Sequence, residues 1–522
     1  MALLNKMIAN SPNPFNDITL QKVSALDSEV FETDMFREYV KIAVSQLQMY
    51  LNDTSVRGIN LLNPSVLKDA ARNLMTKEDD TIASFDKDRL TSIIDLYIKT
   101  GIQVHSPGFM GRQFSGVVPL AGVFDMVNSI VNQPSSFYEA AQLPNVAERI
   151  MSEELNRFIG FDKDTFTMVT TSGGSLANLT ALLAARNDKL PGVWNNGVMA
   201  SHLKGIPAIA ISENAHYSIT RAAGILGIGE NQIVKLPVNS AKQIHIGKVQ
   251  KTLDAARSKG LNIFCIVASA GTTSIGAFDK LDELAEIAHN NNIWLHVDGA
   301  HGASLLVSDT LRHKLKGIEK VDSLTWDAHK MMFVPSPCSL LFYREKGKSY
   351  GAFHQEASYV FEKHADVYTE YDSAEKNFEC TKRPMIMNLW VLWAIYGRAL
   401  FSEKIEYLCT LCMDAYSLLN EEPDFETIHV PESNILCFRY KPSVAVNEFP
   451  IDYQVEIRNR IRENGHFFIS KVDIDKEAAL RVVFMNHQTD MEHFKLLLNE
   501  IKHTGQTIIK ENKRHLVISK TY

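Results

Sequence analysis

Short apolar runs alternate with stretches of helical periodicity through the middle of the chain. The runs Phe166–Thr170, Ala208–Ser212, Phe264–Ala268, Ile293–Val297, Ser323–Trp326 and Ser339–Tyr343 are rich in branched and aromatic residues and predict buried strands. Helical stretches such as Leu176–Arg186 and Leu281–Asn290 follow several of them. Such alternation over residues 101–385 predicts an α/β domain built on a large, mostly parallel sheet covered on both faces. Residues 1–100 read as helical instead. Within Met35–Leu51, Phe36, Tyr39, Val40, Ala43 and Leu47 fall at helical spacing. That segment has an apolar face and few strand signals, so it is expected to dock on the rest of the chain or on a second subunit as a dimerisation segment. Residues 386–522 change character again. A helical stretch, LWVLWAIYGRALFSEKIEYLCTLC, leads to strands at Ile435–Tyr440 and Leu480–Met485 and helices near Asp452–Arg462 and Met491–Lys502. This predicts a smaller C-terminal α+β domain.

Composition narrows the function classes. The 522 residues are 45% apolar and 22% charged, enough for two or three domains around a large core. A net charge of -7 supplies no field for nucleic acid or an anionic membrane. Runs of the roughly 18 apolar residues that a membrane span needs are missing, and the first residues lack the pattern of a secretory signal, so the expected compartment is the cytoplasm. Six cysteines make no disulfide framework. Cys265, Cys338 and Cys437 sit in apolar runs, and the lone Cys409/Cys412 pair lies in a helical stretch, where a structural reading outweighs a redox or zinc one.

In a parallel sheet, ligands bind beyond the carboxyl ends of the strands. The residues with chemical potential fall there. TTSGGSLANLTALLAARN reads as strand, glycine turn and helix, with Gly174 and Ser175 at a helix N-terminus suited to phosphate; it lacks the lysine of a P-loop and the full dinucleotide fingerprint. SENAHYS places His216 after a strand, as a ring-stacking group or a cap. AGTTSIGAFD places Thr273 after another, near a cofactor substituent or in a simple turn. IWLHVDGAHGA ends a strand at Asp298, as a metal ligand beside His296 and His301, a general base, or the partner of a cationic ring. GILGIGE, with Gly224, Gly227 and Gly229, reads as a turn. DSLTWDAHK puts Lys330 directly after a buried strand. A partly desolvated lysine there can form an imine with an aldehyde, although a lone lysine is more often a solvated one.

Taken together, this order of phosphate turn, histidine, threonines, aspartate and lysine resembles the group II pyridoxal 5'-phosphate (PLP)-dependent amino acid decarboxylases. That family includes the glutamate, cysteine-sulfinate, diaminobutyrate and aromatic amino acid decarboxylases. The resemblance runs from about His105 to the C-terminus. It is nearest the glutamate/cysteine-sulfinate branch, through HKMMFVPSPCSLLFYRE and EASYVFEK. It implies PLP fold type I, the aspartate-aminotransferase fold, and a homodimer with active sites near the subunit interface. It implies that Lys330 carries the cofactor covalently, that His216 and Ala300 flank the ring, and that Asp298 pairs with the ring nitrogen. Gly174, Ser175 and Ser323 would bind the phosphate, Thr273 would lie near the ring edge, and His329 would sit beside the lysine. Arg481, in ALRVVFMN, matches an arginine that holds the substrate α-carboxylate, and Tyr359 matches a loop tyrosine that protonates the substrate carbon. The catalytic set is then Lys330, Tyr359, His216 and His329. Three positions depart from the pattern: Asp327 replaces a common asparagine, Gly299 an alanine and His301 an aromatic residue.

The activity implied is conversion of an L-amino acid to its amine and carbon dioxide, within amino acid metabolism. Arg112 and Gln113, in the loosely matching pocket stretch HSPGFMGRQFSG, favour a small polar or acidic substrate such as glutamate, aspartate or cysteine sulfinate. Arg112 also reads as a solvated charge. The alternatives are 2,4-diaminobutyrate or an aromatic substrate, or another fold-type-I reaction such as transamination, aldol cleavage or decarboxylation-dependent oxidation. Tyr359 favours plain decarboxylation. A catalytically inactive binding paralogue is opposed by retention of both Asp298 and Lys330.

Overall fold

The computed structural model describes residues 33–75, 85–353, 371–442 and 452–519. The N-terminal part contributes α1 (Thr33–Asn52), β1 (Ile59–Asn60), α2 (Pro64–Asn73), α3 (Lys87–Lys99) and β2 (Gly101–Ile102). Its helices begin where the sequence caps them. Asn63 accepts from the Ser65 amide with Pro64 at the first helical position, and Asp86 accepts from the Arg89 amide.

The large domain carries α4 (Pro119–Val131), α5 (Gln142–Ile159), β3 (Thr167–Thr171), α6 (Gly174–Lys189), β4 (Ile206–Ser212), α7 (Tyr217–Ile225) and β5 (Ile233–Leu236). It continues through α8 (Ile246–Ser258), β6 (Leu261–Ser269), α9 (Leu281–Asn290), β7 (Trp294–Asp298), β8 (Ser323–Asp327) and β9 (Ser339–Tyr343). Seven strands form one sheet in the order β3-β9-β8-β7-β6-β4-β5. All pairings are parallel except those of β9, which is antiparallel to both its neighbours. The central strands are buried on both faces, which explains their continuous rather than alternating apolar runs. Helix α6 packs its alanine-rich stretch, including Ala177, Ala181 and Ala185, flush against the sheet. Each Leu, Ile or Val fully buried in these layers contributes roughly 1.5–3 kcal/mol.

A 36-residue helix, α10 (Ile386–Glu421), bends at Gly397 and joins the two domains. Its first half packs into the core of the large sheet through Ile386, Leu389 and Leu392, and its second half into the C-terminal core through Leu408, Leu411 and Leu419. Cys409 and Cys412 lie buried in this helix as free thiols. The C-terminal domain follows, with β10 (Phe425–Thr427), β11 (Ile435–Tyr440), α11 (Tyr453–Asn464), β12 (Ser470–Ile474), β13 (Glu477–Val483) and α12 (Met491–Ser519). Its four strands form an antiparallel sheet in the order β10-β11-β13-β12.

The N-terminal part docks on this smaller domain. The Gly58 amide donates to the His466 carbonyl and the Met110 amide to the Phe468 carbonyl, while Ile59, Phe109 and Phe468 share an apolar cluster. Among the described residues no helix is long and apolar enough to cross a membrane.

Candidate active site

Because β3, β4, β6, β7 and β8 run the same way, their carboxyl ends share one edge of the sheet, and β9 begins there. A cavity of about 320 Å³ lies on that edge. Gly174 and Ser175 reach it from the turn after β3, His216 from the turn after β4, and Thr273 from the turn after β6. Asp298 and Ala300 come from the end of β7, and His329 and Lys330 from the end of β8.

The phosphate-type turn is shaped by its glycines. Gly173 has φ 126°, a region that favours glycine, and it caps α6 with no side-chain bond. The Leu176 and Ala177 amides already reach the Gly173 carbonyl, so the first-turn donors left for an anion are those of Gly174 and Ser175. A Cβ on Gly174 would stand 2.7 Å from a carboxylate oxygen of Asp327.

Asp327, awkward beside a phosphate if unpaired, is paired. Its Oδ2 lies 3.1 Å from Lys330 Nζ, and its Oδ1 accepts from Ser339 Oγ at 2.5 Å. His329 sits beside them, with Nε2 3.7 Å from the same carboxylate and Nδ1 2.9 Å from the Cys338 carbonyl oxygen. Asp298 is half-buried and forms no ion pair among the described residues. Its oxygens accept from Asn178 Nδ2 at 3.0 Å and from the Ala300 amide at 3.2 Å. Burial lowers the pKa of His216, and nearby Lys330 adds to this, against the pull of Asp298. His301 also lines the cavity. Its Nε2 donates to Asn434 Oδ1 at 2.7 Å, its buried Nδ1 has no partner, and burial pushes its pKa down to about 3.

These groups fit a flat, cationic-ring aldehyde bearing a phosphate. Lys330 supplies an amine for the aldehyde, Asp298 a carboxylate with no cation of its own, and the glycine turn two free amide donors. The sequence agrees with that chemistry: residues 68–441 match the family model described as "Pyridoxal-dependent decarboxylase conserved domain". The chain belongs to this family. It is a PLP-dependent amino acid decarboxylase, and its fold is PLP type I.

The decarboxylase is 30% identical over 358 residues to the L-aspartate decarboxylase dtxS4 of Metarhizium robertsii, covering 68% of this chain and 70% of that one. Its fold is similar to mouse CSAD, with a TM-score of 0.82 at 23% identity over 91% of this chain and 99% of that one. It is likewise similar to Oryza sativa TDC, whose structure holds PLP and tryptamine, with a TM-score of 0.83 at 21% identity over 92% and 99% of the two chains.

Some residues expected at the site are elsewhere. Ser323 is the clearest correction. It starts β8, so it stands four residues, or roughly 13 Å, behind the carboxyl edge. Its hydroxyl is fully buried against Trp294 Nε1 and His296 Nδ1, both at 2.8 Å, and does not reach a phosphate at the glycine turn. Arg481, Arg112 and Gln113 do not line the cavity of this single chain. Arg481 is buried beneath it and donates to the Thr273 and Ser274 carbonyls at 2.7 and 2.9 Å. Arg112 is exposed, and Gln113 is half-buried with its Nε2 unpartnered. Tyr359 lies outside the described residues. His296 and His301 are each held by other partners, and among the described residues no three metal-ligating side chains converge.

Reading the sequence missed Asn178 and Ser339. The signal for Asn178 was present: it is a polar residue one turn into α6, on a face otherwise made of alanine and leucine, and such a residue needs buried partners. Ser339 gave no such signal, because it reads as an ordinary strand start.

Proposed function

We propose that this decarboxylase acts on a small acidic L-amino acid, with aspartate, glutamate and cysteine sulfinate as the class, and releases the corresponding amine and carbon dioxide. The observation that carries the reading is a second cation, Arg112, close enough to Arg481 to lower its pKa, since Arg481 itself is matched to the α-carboxylate that every L-amino acid has. Arg481 is 5% exposed, donates to the Gly111, Thr273 and Ser274 carbonyls and to Ser470 Oγ, and has no carboxylate within ion-pair distance among the described residues. Burial, with Arg112 adding like-charge repulsion, lowers its pKa to about 10, so it is charged at neutral pH. A buried cation without a counter-ion is a place for an anion. Arg112 and Arg458 also repel one another, so a dicarboxylic substrate meets excess positive charge on this side. The relative in Metarhizium robertsii named as an aspartate decarboxylase supports the same class.

In this reading PLP, when bound, accepts the electron pair left by departing carbon dioxide. The chain does the rest. The amides of Gly174 and Ser175 hold the phosphate, Asp298 keeps the ring nitrogen protonated, and His216 and Ala300 flank the ring. Lys330 would hold the cofactor through its amine. Thr273 lies at the ring edge, and His329 steadies the lysine end. Arg481, bonded beneath the cavity to the Thr273 and Ser274 carbonyls, would turn toward it to orient the α-carboxylate, and Arg112 and Gln113, outside the cavity of the single chain, would meet the side chain. Tyr359 protonates the substrate carbon. We also propose a homodimer. Exposed apolar residues on α4, including Val123, Val127, Ile130 and Val131, support a covered face there.

A carbon dioxide release screen over the common L-amino acids, cysteine sulfinate and 2,4-diaminobutyrate tests the reading. The acidic substrates should lead; Arg481→Met should lower kcat/KM for every substrate by roughly a hundredfold or more, whereas Arg112→Met should lower it chiefly for the acidic ones. Preferred turnover of 2,4-diaminobutyrate or an aromatic amino acid would overturn it.

A further inference from the structure

Asn178 touches Asp298, assigned above to the cofactor ring, and reaches His216, assigned to the same ring, through Ser218; both polar atoms of its amide are bonded. It is 1% exposed. Its Nδ2 donates to Asp298 Oδ2 at 3.0 Å and to Ser218 Oγ at 3.1 Å. Its Oδ1 lies 3.0 Å from His296 Nε2. Turning the amide over would set an oxygen against the Asp298 carboxylate, so the orientation is forced.

The proton positions around it are forced as well. The Trp294 indole can only donate, and it donates to Ser323 Oγ. The Ser323 hydroxyl proton is then free to reach His296 Nδ1 at 2.8 Å. His296 therefore carries its proton on Nε2 and donates it to Asn178 Oδ1. Ser218 Oγ, already accepting from Asn178, turns its own proton to His216 Nδ1 at 2.8 Å, and the Ser218 amide points at the same nitrogen at 3.3 Å. His216 is left with its proton on Nε2. A line of hydrogen bonds thus runs from Trp294, inside the sheet, to both Asp298 and His216 at the cavity, and it divides at Asn178.

We propose that Asn178 is a positioning residue for the cofactor ring. It holds the Asp298 carboxylate at the ring nitrogen and fixes the tautomer of His216 on the ring face, so that two separate turns act as one rigid cradle. Leucine or alanine at this position would pack against the sheet but would leave His296 Nε2 and Asp298 Oδ2 without their partner. Aspartate would place a second carboxylate against Asp298.

The inference rests on the assignment of Asp298 to the ring nitrogen. The experiment measures binding to the cofactor-free protein of PLP and of its analogue with carbon in place of the ring nitrogen, for the native protein, Asn178→Asp and Asp298→Asn. Asn178→Asp should weaken PLP roughly ten- to hundredfold, the range for a hydrogen bond to a charged group, and the carbon analogue far less. Equal losses for both ligands would mean that Asn178 merely supports the fold, and no loss for PLP would mean that it does not position Asp298. Either result overturns the proposal. If Asp298→Asn itself fails to distinguish the two ligands, the assignment of Asp298 fails first. Should Asn178→Asp not fold, Asn178→Ser carries the same comparison, because its hydroxyl is too short to span from His296 to Asp298.

Discussion

The two ends of β7 and β8 are built from the same strands and behave in opposite ways. Behind, at Trp294, His296 and Ser323, the polar atoms are buried and matched to one another. In front, Asp298 and, beneath the cavity, Arg481 have hydrogen bonds but no counter-ion among the described residues, and His301 Nδ1 has no partner there. A closed network contributes rigidity, and an open one contributes affinity for something else. The sheet separates these tasks by one short strand length, so the rigid end aims the open end.

The comparison breaks most visibly at Lys330. Lys330→Ala removes the amine proposed to hold the cofactor and leaves Asp327 with Ser339 and His329 as its side-chain partners among the described residues. Turnover should fall by roughly a thousandfold or more, and the purified protein should lose the visible colour that borohydride otherwise bleaches. A colourless native protein that stays colourless with added PLP would refute the front end as a cofactor site. At the back end the test is pH. Burial lowers the pKa of His296 from 6.5 to about 4. Above about pH 6.5 the imidazole is neutral in both the folded and the unfolded chain, and the stability tied to it is intact. Between 6.5 and 4 the unfolded chain takes up the proton first, so stability falls as the pH falls. The loss is at most about 3 kcal/mol. Asp279, raised to about 6 by burial, acts in the opposite direction over part of this window. Denaturant unfolding should therefore be compared between the native protein and His296→Gln, whose difference isolates the imidazole. A difference that stays constant from pH 7 to 4 would show that His296 is not held neutral.

What the sequence revealed follows the same division. The front end was legible because its residues follow apolar runs directly: His216, Asp298 and Lys330 each stand at or just past a strand. The back end was misread where periodicity says nothing about depth. The family resemblance alone assigns Ser323 to the phosphate, but a serine that opens a strand and one that closes it stand at opposite ends of a parallel sheet. Strands β5 and β12 were also missed. Each lies at the edge of its sheet, and β12, with the sequence SKVDI, alternates in burial and carries charge. Edge strands of that kind carry too weak an apolar signal to stand out. The docking of residues 58–110 on the C-terminal domain is made in part by backbone hydrogen bonds, which leave no mark in side-chain pattern.

Ser323→Ala sharpens the correction. It strips Trp294 Nε1 and His296 Nδ1 of their shared partner inside the sheet. Stability should fall by about 1–3 kcal/mol, read as a lower denaturant midpoint. Weakening of inorganic phosphate binding as large as that caused by changes at the glycine turn would return Ser323 to the phosphate site.

The smallest expected effect separates a glycine that the site needs from one that it does not. At Gly174 an added Cβ meets both Asp327 carboxylate oxygens, at 2.7 and 2.8 Å. Asp327 cannot easily retreat, because Ser339 and Lys330 hold it from two sides. Gly174→Ala must therefore shift the turn whose amides are proposed to hold the phosphate, and PLP affinity should drop by about tenfold, the effect of one weakened hydrogen bond to a charged group. Gly224 lies inside α7, and an added Cβ there meets nothing within 4 Å. Gly224→Ala should leave PLP affinity unchanged and raise stability by roughly 0.5–1 kcal/mol, since alanine loses less backbone freedom in a helix. Equal PLP affinity in the two variants would mean that Asp327 yields freely, and that the front end is softer than its hydrogen bonds imply.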